Sequence, residues 1–134
     1  MLFKRSLFLG ITSGLLSGAA SVIYFTIYKS YFYIDFTTFV NEYQLIGACM
    51  FGCLLAAIGH WAMLKVMPKN GEIVFNFAFT LLTFASILGP LGKSWSLDYD
   101  VDLMFAFPMF TIAMHFFPAI VWFTLRPLFF KTNR

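Results

Sequence analysis

The sequence predicts an all-α integral membrane protein, a four-transmembrane-helix bundle with a short interfacial segment between helices 1 and 2. Of its 134 residues, 60% are hydrophobic and 11% are charged, against about 45–50% apolar and about 25% charged residues in soluble domains. Four apolar stretches approach the roughly 20 residues that a helix needs to cross a bilayer. These stretches cover approximately residues 7–28, 45–67, 72–91 and 103–125 of one transmembrane domain, 1–134.

The first stretch follows Lys4 and Arg5, and a basic start before an apolar run also resembles a signal peptide. The apolar region of a signal peptide is shorter than this stretch, so we expect a retained helix. Gly10, Gly14 and Gly18 recur every four residues and therefore form one stripe on a helix, a glycine zipper. Such a stripe lets a second helix approach closely.

Residues 29–44 contain carboxylates, among them Asp35 and Glu42, and several aromatic residues. The segment is too polar to cross a bilayer and too aromatic for a free loop. We expect a short helix or turn at the interface, where aromatic rings are enriched in membrane proteins.

The second stretch carries another face of small residues, Ala48, Gly52 and Ala56. Because the two faces are neighbours along the chain, packing one against the other is the simplest architecture.

Cys49 and Cys53 lie one helical turn apart in the second stretch. A disulfide between them would strain an intact helix, so we expect free thiols. With His60 they share one helix face, but a fourth ligand is missing, and no metal site is predicted.

Turn and polar signals divide the second half of the chain. Pro68–Gly71 precedes the third stretch, and Gly89–Gly92 is expected to end it because proline interrupts helices.

The third stretch has a polar seam that we expect to face inward, formed by Asn76, Thr80 and Thr83. In the fourth stretch, the residues that share roughly one face are Pro108, Thr111, His115, Pro118 and Trp122. A solvated loop between the two stretches contains Asp98, Asp100 and Asp102.

His60 and His115 are the two histidines of the chain, each within an apolar stretch. The second and fourth helices run in the same direction, and the helical rise puts the two side chains at similar depths. Two such imidazoles can bind one b-type haem from opposite faces. They can also line a quinone or other redox site. The structural alternative is that each histidine hydrogen-bonds to a carbonyl or hydroxyl group of a neighbouring helix.

The basic residues predict the orientation in the membrane. Seven of the nine fall on the side of the termini, namely Lys4, Arg5, Lys65, Lys69, Arg126, Lys131 and Arg134. Lys29 and Lys93 fall on the other side. This bias predicts that both termini lie in the cytoplasm. We expect a multi-pass protein of the inner membrane. The basic residues form no patch of the kind that binds nucleic acid.

The expected function is non-enzymatic. No charged side chain lies deep in an apolar stretch, which argues against an ion-coupled transporter, and no catalytic motif points to catalytic residues. The glycine stripes favour a helix-packing subunit or accessory factor that assembles as a homo-oligomer or in a larger membrane complex. The alternatives are a redox protein that binds haem through His60 and His115, and a small-molecule carrier or channel lined by Asn76, Thr80 and Thr83.

Overall fold

The computed structural model describes residues 1–33, 36–37, 39–95 and 101–130, excepting the side chains of 93–95 and 101–104. This part of the chain forms five helices: α1 Leu2–Phe32, α2 Glu42–Val66, α3 Gly71–Ser86, α4 Leu88–Trp95 and α5 Val101–Phe129. The four segments that are long and apolar enough to cross a membrane are Leu2–Phe32, Glu42–Val66, Gly71–Gly92 and Phe105–Phe129. The all-α class and the four apolar helices predicted from the sequence are therefore confirmed.

The ends of α1 and α2 are set by local backbone chemistry. Tyr33 follows α1 in the left-handed conformation, with φ 54°, which is a common way to end a helix. Asn41 and Gln44 form a capping box at the start of α2, because each side chain accepts a hydrogen bond from the backbone N–H of the other residue. Together the two signals restrict the connection to a few residues.

The described residues of this connection form a turn between the two helices, one of the two forms that the sequence allows. The Phe36 carbonyl accepts hydrogen bonds from the backbone N–H groups of Phe39 and Val40. The Phe36 ring is 1% exposed, and it stacks on Phe110 and contacts Phe107 of α5 edge to face. The turn therefore directs the Phe36 ring into the bundle.

The third apolar stretch is divided, but Gly89–Gly92 does not end it as predicted. The break falls at Ile87, between α3 and α4. Pro90 is the third residue of α4. In the first turn of a helix the backbone N–H groups have no partner within that helix, so the N–H that proline lacks is not missed.

The apolar helices pack antiparallel to their neighbours in sequence and enclose two apolar clusters. The first lies near the α1–α2 connection and contains Phe25, Tyr28, Phe36, Phe107, Phe110 and Met114. The second lies toward the chain termini and contains Leu9, Ala56, Ala57, Phe75 and Trp122. At that end, the Arg126 guanidinium of α5 forms an ion pair with the Glu72 carboxylate of α3.

The predicted acidic loop lies largely outside the described residues. Asp98 and Asp100 are not among them, and Asp102 is described only through its backbone in α5.

Candidate functional site: a groove between α2, α3 and α5

The glycine stripe of α1 packs against α2. A β-carbon added at Gly10 would lie 2.7 Å from the Ala57 β-carbon and 2.8 Å from the Cys53 carbonyl oxygen. Gly14 is as close to Met50, and Gly18 approaches Ile46. The two helices therefore approach so closely that a methyl group at Gly10 would force them apart.

The face of α2 that receives this stripe is not the predicted one. Ala48 is exposed, and a β-carbon added at Gly52 would meet nothing within 4 Å. Ala56 is buried in the cluster that joins Leu9 of α1 to Phe75 and Trp122, away from the three glycines. Successive side chains on a helix are about 100° apart, so a rotation of α2 by about that angle from the predicted orientation turns Cys53 toward α1 and leaves Gly52 uncovered.

Both thiols of α2 contact serines of α1. The Cys53 sulfur lies 4.0 Å from the Ser17 hydroxyl oxygen, and the Cys49 sulfur lies 3.4 Å from that of Ser21. The prediction of free thiols is confirmed. Among the described residues, no group of three or more His, Cys, Asp or Glu side chains could hold a metal ion. The thiols stabilise the α1–α2 contact by packing and weak hydrogen bonds.

His60 is fully buried at the end of the bundle where the termini lie. Its Nδ1 atom is 3.0 Å from the Ser6 hydroxyl oxygen. Three rings surround the imidazole at centroid distances of 4.8–5.7 Å, those of Phe75, Trp122 and Phe130. Within the described chain, Nε2 has no hydrogen-bond partner. The contact with Ser6 agrees with the structural alternative for this histidine, a hydrogen bond to a hydroxyl group of the next helix.

His115 occupies a different part of the bundle. Its Nδ1 atom is 2.7 Å from the Thr111 carbonyl oxygen of the same helix. The His60 ring contacts Trp122 of α5, so the two side chains lie at the same depth in the bundle. Trp122 follows His115 by seven residues, which is about 10 Å along α5 at 1.5 Å per residue. The prediction of similar depths is therefore wrong, and the structure does not bring the two histidines together. Haem binding stays an alternative hypothesis, which the absorbance spectrum of the purified protein would test.

A large groove opens between α2, α3 and α5. Its volume is about 850 Å³, which lies within the range of about 300–1,000 Å³ typical of small-molecule sites. The α2 residues that line it run from Gln44 to Met63, about 28 Å of helix. Its α2 wall contains four small residues, Ala48, Gly52, Ala56 and Gly59. This wall is low and smooth because the side chains on it are short.

The opposite wall of the groove is aromatic with a few polar groups. Phe75 and Phe79 of α3 contribute rings, and Pro118 of α5 lies beside His115 on the same wall. Its polar residues are Thr83, Ser86, Thr111 and His115. The groove therefore combines an apolar surface with a small number of hydrogen-bonding atoms, as binding sites for organic molecules do.

The predicted polar seam of α3 is divided by the packing. Thr83 lines the groove, whereas Thr80 is exposed and donates its hydroxyl hydrogen to the Asn76 carbonyl. The Asn76 side-chain oxygen is buried without a hydrogen-bond partner in the described part of the protein. Of the three residues, only Thr83 belongs to the groove.

No protein family, curated protein or solved structure matches this chain.

Two parts of this arrangement were missed by the sequence analysis. The groove depends on how far α2 and α3 diverge, and no residue pattern reports that separation. Ser6, the partner of His60, lies 54 positions away in the chain. The available signal was its place on α1, where Ser6, Ser13 and Ser17 recur on the side of the glycine stripe.

Proposed function

We propose that this chain is a non-enzymatic, multi-pass membrane protein that binds a small amphipathic molecule in the α2–α3–α5 groove and acts as its carrier. The observation that carries this proposal is the extent of the groove. It follows α2 for about 28 Å, which is close to the thickness of about 30 Å of a bilayer's hydrocarbon core. An elongated apolar chain would fit along it.

The packing of α1 also favours this proposal over the helix-packing subunit expected from the sequence. The stripe of Gly10, Gly14 and Gly18 is covered by α2 of the same chain, so it is not free for a partner. On α2, the small residues that remain open are Gly47, Ala48 and Gly52, and the last two line the groove. An accessory role that uses Ala48 and Gly52 would need a helix of a second copy or of another protein in the groove itself.

The groove's binding capacity is tested with a photoreactive hexadecyl methyl ether that carries a diazirine at the middle of its chain. We expect saturable labelling of the wild-type protein in lipid vesicles, with the labelled sites on the α2 and α5 walls of the groove. Gly52→Phe should remove most of this labelling, because its side chain would enter the open space over Gly52. Gly47 also has open space around it but does not line the groove, so Gly47→Phe is the matched control.

Two results would overturn the proposal. Labelling that rises linearly with probe concentration and is equal in both variants would indicate ordinary lipid contact. A stable oligomer or co-purifying protein that cross-links through a photoreactive residue at position 52 would place a helix in the groove, and the accessory role would replace the carrier.

For the location, we propose the inner membrane with both termini in the cytoplasm. Seven basic residues lie on the side of the termini and two lie on the other side, and such residues are retained on the cytoplasmic side. We expect a green fluorescent protein fused to the C-terminus to fluoresce, and alkaline phosphatase fused there to be inactive. The opposite pair of results would reverse this topology.

A further inference from the structure

The hydroxyl groups on the α3 and α5 walls of the groove have already donated their hydrogens. Thr83 donates to the Phe79 carbonyl at 2.8 Å, and Ser86 donates to the Thr83 carbonyl at 2.7 Å. Thr111 donates to the Phe107 carbonyl at 2.8 Å. A hydroxyl group has one hydrogen and two lone pairs. Each of these oxygens can therefore only accept a hydrogen bond from a molecule in the groove.

The His115 ring also offers only a hydrogen-bond acceptor to a molecule in the groove. Its Nδ1 atom lies 2.7 Å from the Thr111 carbonyl oxygen, and since a carbonyl can only accept, the ring proton is on Nδ1. In the neutral imidazole, Nε2 then carries a lone pair and no hydrogen. Within the described part of the chain, Nε2 makes no hydrogen bond of its own.

These four acceptors lie at neighbouring levels of the bundle. The Phe84 and Phe116 rings are in contact, with centroids 5.4 Å apart. Thr83 and His115 immediately precede these two residues, so α3 and α5 present them at the same level. Ser86 and Thr111 are about one helical turn from them. The level is near the middle of the apolar segments Gly71–Gly92 and Phe105–Phe129.

From this arrangement we infer that the molecule carried in the groove is an uncharged amphiphile with a hydroxyl head group, such as a long-chain alcohol. The inference rests on the proposed carrier function and specifies its substrate class. The hydrocarbon core of a bilayer has no hydrogen-bond acceptors. Acceptors at the middle of the groove would replace the water that a hydroxyl group loses on its way across.

Other head groups fit the walls less well. A ketone or ester has only acceptor oxygens and would face the acceptors of α3 and α5 without a donor between them. Free donors in the lining lie away from these two walls: the side-chain amide of Gln44 at one end of the groove, and the Ser21–Cys49 pair, which has one more hydrogen than its mutual contact uses. An ammonium group has donors, but the groove lining within the described residues includes no Asp or Glu, and an unpaired charge in an apolar site is costly.

The test compares two photoreactive probes that differ in one group, hexadecanol and its methyl ether, both with a diazirine at the middle of the chain. We expect wild-type protein in vesicles to reach half-maximal labelling at an alcohol concentration about twofold to tenfold lower than that for the ether, the effect of about one hydrogen bond. In His115→Leu and in Thr111→Val this ratio should fall toward one. Thr80→Val is the matched control, since Thr80 is on the exposed face of α3.

The outcomes separate this inference from the function on which it rests. Saturable labelling of the wild type by both probes at equal concentrations would overturn the hydroxyl specificity and leave the groove as a binding site. A preference for the alcohol that persists in folded His115→Leu and Thr111→Val would also overturn it. If His115→Leu does not fold, the Thr111→Val variant decides alone. Failure of both probes to label the groove would overturn both proposals.

Discussion

Phe36→Ala is expected to lower the free energy of unfolding by about 3–5 kcal/mol, the usual cost of removing a buried phenylalanine ring. The Phe36 ring is 1% exposed. Its centroid lies 5.0 Å from that of Phe110, 5.7 Å from that of Phe107 and 6.0 Å from that of Tyr28. Removal of the ring would leave a cavity between α1 and α5, and the surrounding rings are too rigid to fill it.

Tyr31→Ala is the control for Phe36, because Tyr31 is in the same aromatic segment but is 80% exposed. Its effect should stay within about 0.5 kcal/mol. Both variants can be measured by titrating the protein from mild detergent into sodium dodecyl sulfate while following tryptophan fluorescence, which reports on the buried Trp122. Equal effects would mean that Phe36 lies at the surface of the bundle.

Gly10→Ala should lower the free energy of unfolding by about 1–3 kcal/mol, which is the cost of overpacking a tight contact. The added methyl carbon would lie 2.8 Å from the Cys53 carbonyl oxygen. Because backbone atoms cannot move as a flexible side chain does, α1 and α2 would have to separate. The contacts on either side, including that between Ser17 and Cys53, would lengthen as a result.

Gly52→Ala is the matched control on the open face of α2, where an added β-carbon meets nothing within 4 Å. Alanine is a better helix former than glycine by about 1 kcal/mol. This gain applies at both positions, so the difference between the two variants measures the steric cost. The same detergent titration provides the measurement. A larger loss for Gly52→Ala than for Gly10→Ala would show that α1 contacts the Ala48–Gly52 face, contrary to this structure.

The sequence predicted where the helices begin and end better than it predicted which of their faces pack together. The α2 boundaries, Glu42–Val66, are close to the predicted 45–67, because the capping box at Asn41 and the turn at Pro68 are local signals. The break at Ile87 was predicted two residues too late, since Pro90 was treated as a helix breaker although it can begin a helix. The burial of Phe36 could not be predicted from the sequence, because it depends on α5, more than 60 residues further along the chain.

The candidate site was predicted only in part. Thr83 and His115 were named as candidate polar residues, and both line the groove. Asn76, Thr80 and His60 were named with equal weight, but they are not among the lining residues. A polar residue in an apolar helix indicates that some contact is needed there. It does not indicate whether a hydroxyl group, a carbonyl or a ligand will make that contact, because any of the three can form a hydrogen bond with the polar side chain.

By itself, the sequence determined the class of this protein: an all-helical chain with four helices long and apolar enough to cross a membrane. The physical reason is that a backbone without water must satisfy its own hydrogen bonds, and an apolar stretch of about 20 residues does so as a helix. Only the tertiary structure decided the rotation of α2 about its axis. Any apolar face of a helix is equally stable against lipid, so the rotation is set by how closely α2 packs against α1. That rotation covered Cys53 with α1 and left Gly52 in the groove.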